Sequence, residues 1–237
     1  MHEEEIHQAA IEFARRNKKR IAQELTNPAI YMPDGIPISV FMAGSPGAGK
    51  TEFSKVLIGI LEKSRDHRII RIDGDEIRGL IPGYTGDNSH LFQSAVSLIV
   101  EKIHDCVLEQ RQTFVLDGTF AKYDKAADNI RRSLGKGRKV FIFYLYQKPE
   151  IAWKFTEARE EAEGRHIPKE AFIEQFFGAI DTVRETRKEF STDVVIFFVK
   201  KDFMQNTVEL VEIEPNGRGL DDYLEADYTK ERLENIL

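Results

Sequence analysis

Residues 44–51 carry the pattern G-x-x-x-x-G-K-T, in which each position can perform part of one chemical task. Glycine allows the backbone to curl until successive N–H groups point into one concave nest for an anion. Lys50 can reach the β- and γ-phosphates of a nucleotide, and the Thr51 hydroxyl can bind Mg²⁺. The pattern therefore predicts a site for ATP and Mg²⁺, with phosphate contacts from Gly44, Ser45, Gly47, Ala48, Gly49, Lys50 and Thr51.

The segments on either side of this loop fit the same interpretation. Residues 38–42 are an apolar run typical of a buried strand, and residues 51–61 place apolar side chains at helical spacing. The first turn of such a helix adds its dipole to an anion site. The alternative is a glycine-rich turn without a ligand, which the strand–loop–helix context disfavours.

An acidic motif follows the second predicted strand, residues 68–73. A kinase needs a carboxylate that orients the attacking hydroxyl and accepts its proton, and a strand end beside the loop suits that task. We select Asp75 as this base, because Asp73 is expected to end the strand or cap the next helix. The alternative is that both acids only cap the helix.

Further charged positions are candidates on similar grounds. Asp117 ends the third predicted strand, residues 113–117, where an acid can face Mg²⁺ or a substrate hydroxyl; the alternative is a residue that begins a turn. Arg159 and Arg165 lie in a segment that could close over the loop and neutralise a transferred phosphate. For them the alternative is solvated pairing with neighbouring glutamates. Glu101, on a predicted helix, is by itself typical of a surface acid.

Composition limits the classes of function. The chain has 237 residues, of which 41% are hydrophobic and 31% charged, as in an ordinary globular protein. The net charge of −6 argues against nucleic acid as the main partner, since binding its backbone favours a basic surface. Cys106 is the only cysteine, and we expect it to be buried in the core. Without a membrane-spanning stretch or a signal-peptide pattern, we expect a cytoplasmic protein with no membrane contact.

Strands and helices alternate along the sequence, which predicts parallel strands joined by helical crossovers. Later strands are predicted at residues 140–146 and 194–199, with residues 207–213 as a candidate edge strand. We predict an α/β, three-layer P-loop NTPase or kinase fold, whose mainly parallel sheet of five or six strands is flanked by helices. Helices are predicted at residues 2–25, 51–61, 89–110, 123–134, 149–163 and 168–190, and a short one from residue 221.

We predict three parts of the chain. Residues 1–36 are an N-terminal helix and linker, residues 37–214 form the P-loop domain, and residues 215–237 are a polar C-terminal tail. The middle part contains every candidate site residue named above.

Taken together, these motifs resemble the zeta-toxin family of P-loop kinases. The resemblance covers about residues 38–200 and rests on GSPGAGKT, IDGDEIR, FVLDGT after a long helix, and EAREEAEGRHIP. Members of that family use ATP and Mg²⁺ to phosphorylate the 3′-hydroxyl of UDP-N-acetylglucosamine, and a small antitoxin usually inhibits them. The resemblance therefore implies a kinase for a nucleotide sugar, with an antitoxin as partner.

The resemblance also implies roles for individual residues near ATP. Asp75 matches the catalytic base of the family. Lys50 and Thr51 match its contacts to phosphate and magnesium. Arg159 and Arg165 match the two arginines that bind the transferred phosphate.

On the acceptor side, the resemblance implies that Glu101, Asp117 and Thr119 face the sugar nucleotide. The chain departs from the family pattern at three places. Asp117 is one methylene shorter than the usual glutamate, and Ala121 stands where a substrate-contacting arginine is common. The segment 159–165 is also short. These departures concern the acceptor more than ATP.

Two other functions stay open on the sequence. A polynucleotide 5′-hydroxyl kinase could use the same fold, because a carboxylate followed three residues later by arginine also suits such enzymes. Asp75 and Arg78 have this spacing, which makes Arg78 a candidate substrate contact. The other alternative is an ATP-dependent switch or binding module without an acceptor, although no segment resembles a dedicated switch.

Overall fold

The structure, a computed structural model, describes residues 2–202, 207–213, 219–224 and 228–237. Its strands are β1 (Ile38–Ala43), β2 (Ile70–Asp73), β3 (Phe114–Asp117), β4 (Lys139–Tyr146), β5 (Val194–Asp202) and β6 (Thr207–Glu212). Its α-helices are α1 (Glu3–Leu25), α2 (Lys50–Arg65), α3 (Gly74–Arg78), α4 (Gln93–Glu109), α5 (Tyr123–Leu134), α6 (Pro149–Glu163), α7 (Lys169–Phe190) and α8 (Lys230–Ile236). Among these helices, none combines the length and apolar composition that a membrane span requires.

The strands form one six-stranded sheet in the order β2-β3-β1-β4-β5-β6. Among the described strands, β1 to β5 all run parallel to one another, and only β6 runs antiparallel, along β5. This topology confirms the predicted α/β fold, including the candidate sixth strand at the edge. Because helices cover the centre of a parallel sheet on both faces, every residue of β1 is buried.

Strand β1 shows how the sheet divides the apolar core. Phe41 and Ala43 belong to a large cluster with residues of α1, α4, α5 and α7. Val40 and Met42 point to the opposite face and belong to a smaller cluster with residues of α2. Burial on both faces fixes the strand's register, and hence the place where its carboxyl end delivers the loop that follows.

The N-terminal helix packs on the domain instead of extending from it. Helix α1 lies against α4, and its Ala10 and Ala14 are buried in the large cluster. The linker after α1 is anchored at the amino ends of the strands by Asp34. That carboxylate accepts a hydrogen bond from the Thr113 hydroxyl at 2.7 Å and pairs with Arg65 of α2.

Most predicted elements are present, and the differences lie at their ends. The helix predicted over residues 89–110 begins as a 3-10 turn, Ser89–Phe92, before α4. The helix predicted from residue 221 is instead a 3-10 turn, Leu220–Asp222, followed by α8; residues 225–227 lie outside the described residues. Cys106 is buried, as predicted.

Candidate active site

The phosphate-binding loop joins β1 to α2 at the carboxyl ends of the parallel strands. Gly44, Gly47 and Gly49 have φ angles of 136°, 70° and 85°, which residues other than glycine rarely adopt. A Cβ atom on Gly47 would lie 2.0 Å from the carbonyl oxygen of Ala152 in α6. Glycine therefore lets this loop turn and also lets it touch the backbone of α6.

Lys50 lies across the loop with its ammonium group directed at the loop's own backbone. The Nζ atom donates hydrogen bonds to the carbonyl oxygens of Gly44 (3.0 Å) and Ser45 (2.6 Å). Burial lowers the pKa of Lys50 to about 8, against the opposing charges of Asp117 and Asp75. Within the described part of the chain, no carboxylate lies within ion-pair distance of this ammonium. A buried cation held only by carbonyl groups fits an anionic ligand such as a phosphate.

Oxygen donors suited to Mg²⁺ lie at the start of α2. In the described residues, the Thr51 hydroxyl makes no hydrogen bond. Ser54, three residues later on the same helix face, contacts both the Thr51 carbonyl oxygen (3.0 Å) and Asp117 Oδ2 (2.9 Å). The Asp117 carboxylate is thereby held beside the first turn of α2. Hydroxyl and carboxylate oxygens are the ligands that Mg²⁺ prefers, so these residues fit the ion.

Asp75 sits at the start of α3, directly after β2. Asp73 caps this helix, accepting a hydrogen bond from the Asp75 backbone N–H at 2.8 Å. This confirms the capping position predicted for Asp73. The side chain of Asp75 is left to point away from the cap, and 27% of it is exposed.

Three guanidinium groups converge on the Asp75 carboxylate. Arg78 donates to Oδ1 at 2.7 Å, Arg159 lies 3.6 Å from Oδ2, and Arg165 also contacts Oδ2. Burial raises the pKa of the carboxyl group, yet Arg165, Arg78 and Arg159 outweigh burial and lower it below its usual value. The carboxylate is therefore held ionised, the state that a general base requires.

Arg159 and Arg165 reach Asp75 from the segment predicted to cover the loop. Arg159 lies on α6, which ends at Gly164 in the left-handed conformation (φ 69°). Arg165 follows directly. The next residue, His166, contacts Ser89 through its carbonyl oxygen at 3.4 Å and Glu160 through its ring at 2.8 Å. These contacts place the segment across the strand ends, with its two arginines on one acid.

Arg71 is a site residue that the sequence analysis missed. It lies on β2, two residues before Asp73, so both side chains point to the same face of the sheet. Its guanidinium group contacts Asp73, Asp117 Oδ2 at 2.6 Å and Glu76 at 2.5 Å. The available signal was a charged residue between two buried isoleucines of a short strand.

The remaining predicted acceptor residues lie in different places. The carbonyl oxygen of Thr119 accepts a hydrogen bond from the Gly44 N–H at 3.1 Å, which ties it to the phosphate-binding loop. Glu101 is exposed on α4 and pairs with Lys125 at 3.5 Å. It lies eight residues, or about 12 Å of helix, beyond Gln93, which contacts Arg78. The structure therefore does not join Glu101 to the Asp75 cluster.

The class of protein follows from this architecture. A phosphate-binding loop between β1 and α2, at the carboxyl edge of a mainly parallel sheet covered by helices, defines a nucleotide-binding P-loop fold of the kinase type. The sequence profile of the Zeta toxin family matches residues 21–210 of this chain. Because the match covers well over half of the sequence, the protein belongs to the zeta toxin family. No curated protein matches the sequence.

Solved structures share the fold at low sequence identity. A structure of the PezAT chromosomal toxin–antitoxin system of Streptococcus pneumoniae aligns at a TM-score of 0.68 and 19% identity, over 94% of this chain and 91% of that chain. The structure of AvrRxo1-ORF1:AvrRxo1-ORF2 with sulphate ions aligns at a TM-score of 0.61 and 16% identity, over 98% of this chain and 71% of that chain. The structure of AvrRxo1-ORF1:-ORF2 with ATP aligns at a TM-score of 0.59 and 14% identity, over 89% of this chain and 67% of that chain. At these identities the likeness confirms the fold.

Proposed function

We propose that the protein is an ATP-dependent kinase that transfers the γ-phosphate to a hydroxyl group of a nucleotide sugar such as UDP-N-acetylglucosamine. We further propose that it is the toxin of a toxin–antitoxin pair. The observation that carries the proposal is the convergence of Arg159 and Arg165 on Asp75. All three side chains lie close enough to Lys50 that their charges affect the pKa of its ammonium group. One carboxylate and several cations beside a phosphate-binding loop are the parts that phosphoryl transfer needs.

The ion pairs of Asp75 suggest how these residues act together. The γ-phosphate of ATP offers Arg159 and Arg165 a second anion, which competes with the carboxylate for their N–H groups. As the arginines turn to the phosphate, Asp75 loses part of its charge compensation and becomes a stronger base. It can then accept the proton of the acceptor hydroxyl.

The reaction itself is an in-line displacement. A bond forms between the acceptor oxygen and the γ-phosphorus, and the bond from that phosphorus to the β–γ bridging oxygen breaks. ADP leaves with the electron pair, while Asp75 takes the hydroxyl proton. Lys50, Arg159 and Arg165 stabilise the negative charge that spreads over the transferred oxygens.

Thr51 and Asp117 are the residues that would hold Mg²⁺. When bound, Mg²⁺ neutralises charge on the β- and γ-phosphate oxygens. Ser54 contributes indirectly, because it holds the Asp117 carboxylate beside Thr51. The ATP-bound structure with the same fold supports ATP as the nucleotide.

Family membership supports the toxin role, and the related PezAT structure belongs to a toxin–antitoxin system by its description. The partner would therefore be a small inhibitory protein. The nucleotide-sugar acceptor rests on the resemblance of Asp75 and Thr119 to the family pattern. Because Asp117, assigned here to Mg²⁺, is one methylene shorter than the family's glutamate on the acceptor side, the acceptor is the part of the proposal that most needs a direct assay.

The test is an acceptor screen with ATP labelled in the γ-phosphate. The purified protein is incubated with Mg²⁺, the label and a panel of nucleotide sugars and oligonucleotides, and products are separated by chromatography and mass spectrometry. We expect label on a nucleotide sugar. Asp75→Asn is the matched control, since it keeps the size of the side chain and removes the base.

Other outcomes would replace the proposal. Label on oligonucleotide 5′-ends would identify a polynucleotide kinase. Slow ADP formation without any labelled acceptor would identify a switch or binding module. Unchanged transfer by Asp75→Asn would remove Asp75 from the mechanism, whatever the acceptor.

A further inference from the structure

We propose that Arg71 is a positioning residue that fixes the Asp117 carboxylate for Mg²⁺-dependent nucleotide binding. The inference rests on the proposed nucleotide site but not on any particular acceptor. Arg71 itself lies on β2, which β3 separates from β1, and it acts through the Asp117 carboxylate.

The need for such a residue follows from the strand register. Asp73 of β2 and Asp117 of β3 are direct partners in neighbouring parallel strands, so their carboxylates lie side by side at the sheet edge. Two like charges at this separation repel each other unless a cation compensates them. Arg71 supplies that cation, since its Nη2 contacts both carboxylates.

The contacts of Arg71 hold one carboxylate oxygen of Asp117, Oδ2, and do not involve the other oxygen, Oδ1. Oδ2 accepts from Arg71 Nη2 at 2.6 Å, from Arg71 Nε at 3.2 Å and from the Ser54 hydroxyl at 2.9 Å. In the described residues, Oδ1 accepts no hydrogen bond. Three hydrogen bonds to Oδ2 therefore orient the Asp117 carboxylate and leave Oδ1 as the oxygen that a metal ion could take.

The same contacts connect Asp117 to the magnesium-binding end of α2. Arg71 Nε also donates to Ser54 Oγ at 3.1 Å, and Ser54 contacts the backbone of Thr51 at 3.0 Å. Only 10% of the Arg71 side chain and 4% of the Asp117 side chain are exposed. A charge pair this shielded from water holds its geometry better than a surface pair does.

A purely structural role would also explain a buried ion pair, so the test must separate the two roles. The measurement is the affinity for a fluorescent ATP analogue with and without Mg²⁺. We expect Mg²⁺ to strengthen binding by the wild-type protein. In Arg71→Met, that gain should fall by about tenfold, the effect typical of losing a residue that orients a metal ligand.

Asp117→Asn and the double variant complete a cycle. If Arg71 acts through Asp117, Asp117→Asn lowers the Mg²⁺ gain similarly, and Arg71→Met with Asp117→Asn loses no more than either single variant. The double variant also removes one of the two neighbouring carboxylates that Arg71→Met leaves without a cation, and with it their mutual repulsion. It therefore keeps the test decisive if Arg71→Met alone does not fold.

Arg138→Lys is the matched structural control. Arg138 is also a buried arginine, but it lies at the amino ends of the strands, where it donates to Ser39 Oγ (2.8 Å) and the Ile38 carbonyl oxygen (2.8 Å). Its replacement should lower thermal stability and leave the Mg²⁺ gain unchanged.

The proposal about Arg71 fails if folded Arg71→Met keeps the full Mg²⁺ gain, or if the losses of the two single variants multiply. It also fails if the wild-type protein binds the analogue equally well without Mg²⁺. These results are independent of the acceptor screen, because nucleotide binding requires no acceptor.

Discussion

Replacing Gly47 with alanine would insert a methyl group into the contact between the phosphate-binding loop and α6. The new Cβ atom would lie 2.0 Å from the Ala152 carbonyl oxygen, whereas Cβ atoms in real proteins stay at least about 3 Å from such atoms. That oxygen belongs to helix backbone, so the loop or α6 must move by about 1 Å. Overpacking of this kind costs about 1–3 kcal/mol.

Gly49→Ala provides the matched control. Gly49 also has a positive φ angle, 85° against 70° for Gly47. Placing alanine in this left-handed conformation therefore destabilises both variants by a similar amount. A Cβ atom on Gly49, however, would meet nothing closer than 4.0 Å. The difference between the two variants therefore isolates the contact with α6.

The assay is thermal unfolding of both variants without nucleotide, followed by circular dichroism. We expect Gly47→Ala to melt below Gly49→Ala by roughly 2–12 °C, which corresponds to the overpacking cost in a protein of this size. Phosphoryl transfer should also suffer, because Arg159 lies about two turns beyond Ala152 on the displaced helix. Equal melting temperatures would show that the loop does not press on α6 and would refute the reasoning.

Three further predictions concern the site and its support. Asp75→Ala should slow phosphoryl transfer by several orders of magnitude in single-turnover assays while ATP binding stays nearly intact; wild-type transfer would contradict its role as base. Because burial lowers the pKa of Lys50 to about 8, its charge is present below that pH and is lost above it. ATP affinity measured by calorimetry should therefore weaken as the pH rises through about 8, and Lys50→Met should lack this step; an identical step in Lys50→Met would assign it to another group. Leu233→Ala should destabilise the fold by about 2–5 kcal/mol in chemical denaturation, since Leu233 is fully buried although it lies in the predicted polar tail. A loss below about 1 kcal/mol would show that α8 contributes little to the core.

The parts of the site that could be predicted are local in sequence. The loop, its strand and its helix occupy one continuous segment, and Asp73 lies two residues from the backbone N–H that it caps. Such features depend on propensity and spacing, which a single sequence displays. The strand core was equally clear in β4, where seven consecutive residues after Lys139 are apolar or aromatic.

The parts that could not be predicted are contacts between residues far apart in sequence. The contact of Arg165 with Asp75 spans 90 residues of sequence, and that of Arg71 with Asp117 spans 46. Arg71 gains its partners only because β2 lies next to β3 in a register that aligns Asp73 with Asp117. A strand's neighbours are set by the whole topology, so no window around Arg71 contains this information.

The backbone hydrogen bond from the Gly44 N–H to the Thr119 carbonyl oxygen links the phosphate-binding loop directly to the segment that follows β3. A displacement of the peptide at Thr119 would therefore either stretch this bond or move Gly44, the first residue of the loop. If the protein is the kinase proposed above, variants of residues 118–121 should change the Michaelis constants for ATP and the acceptor together. In such a variant this hydrogen bond explains an altered Michaelis constant for ATP without a second nucleotide contact.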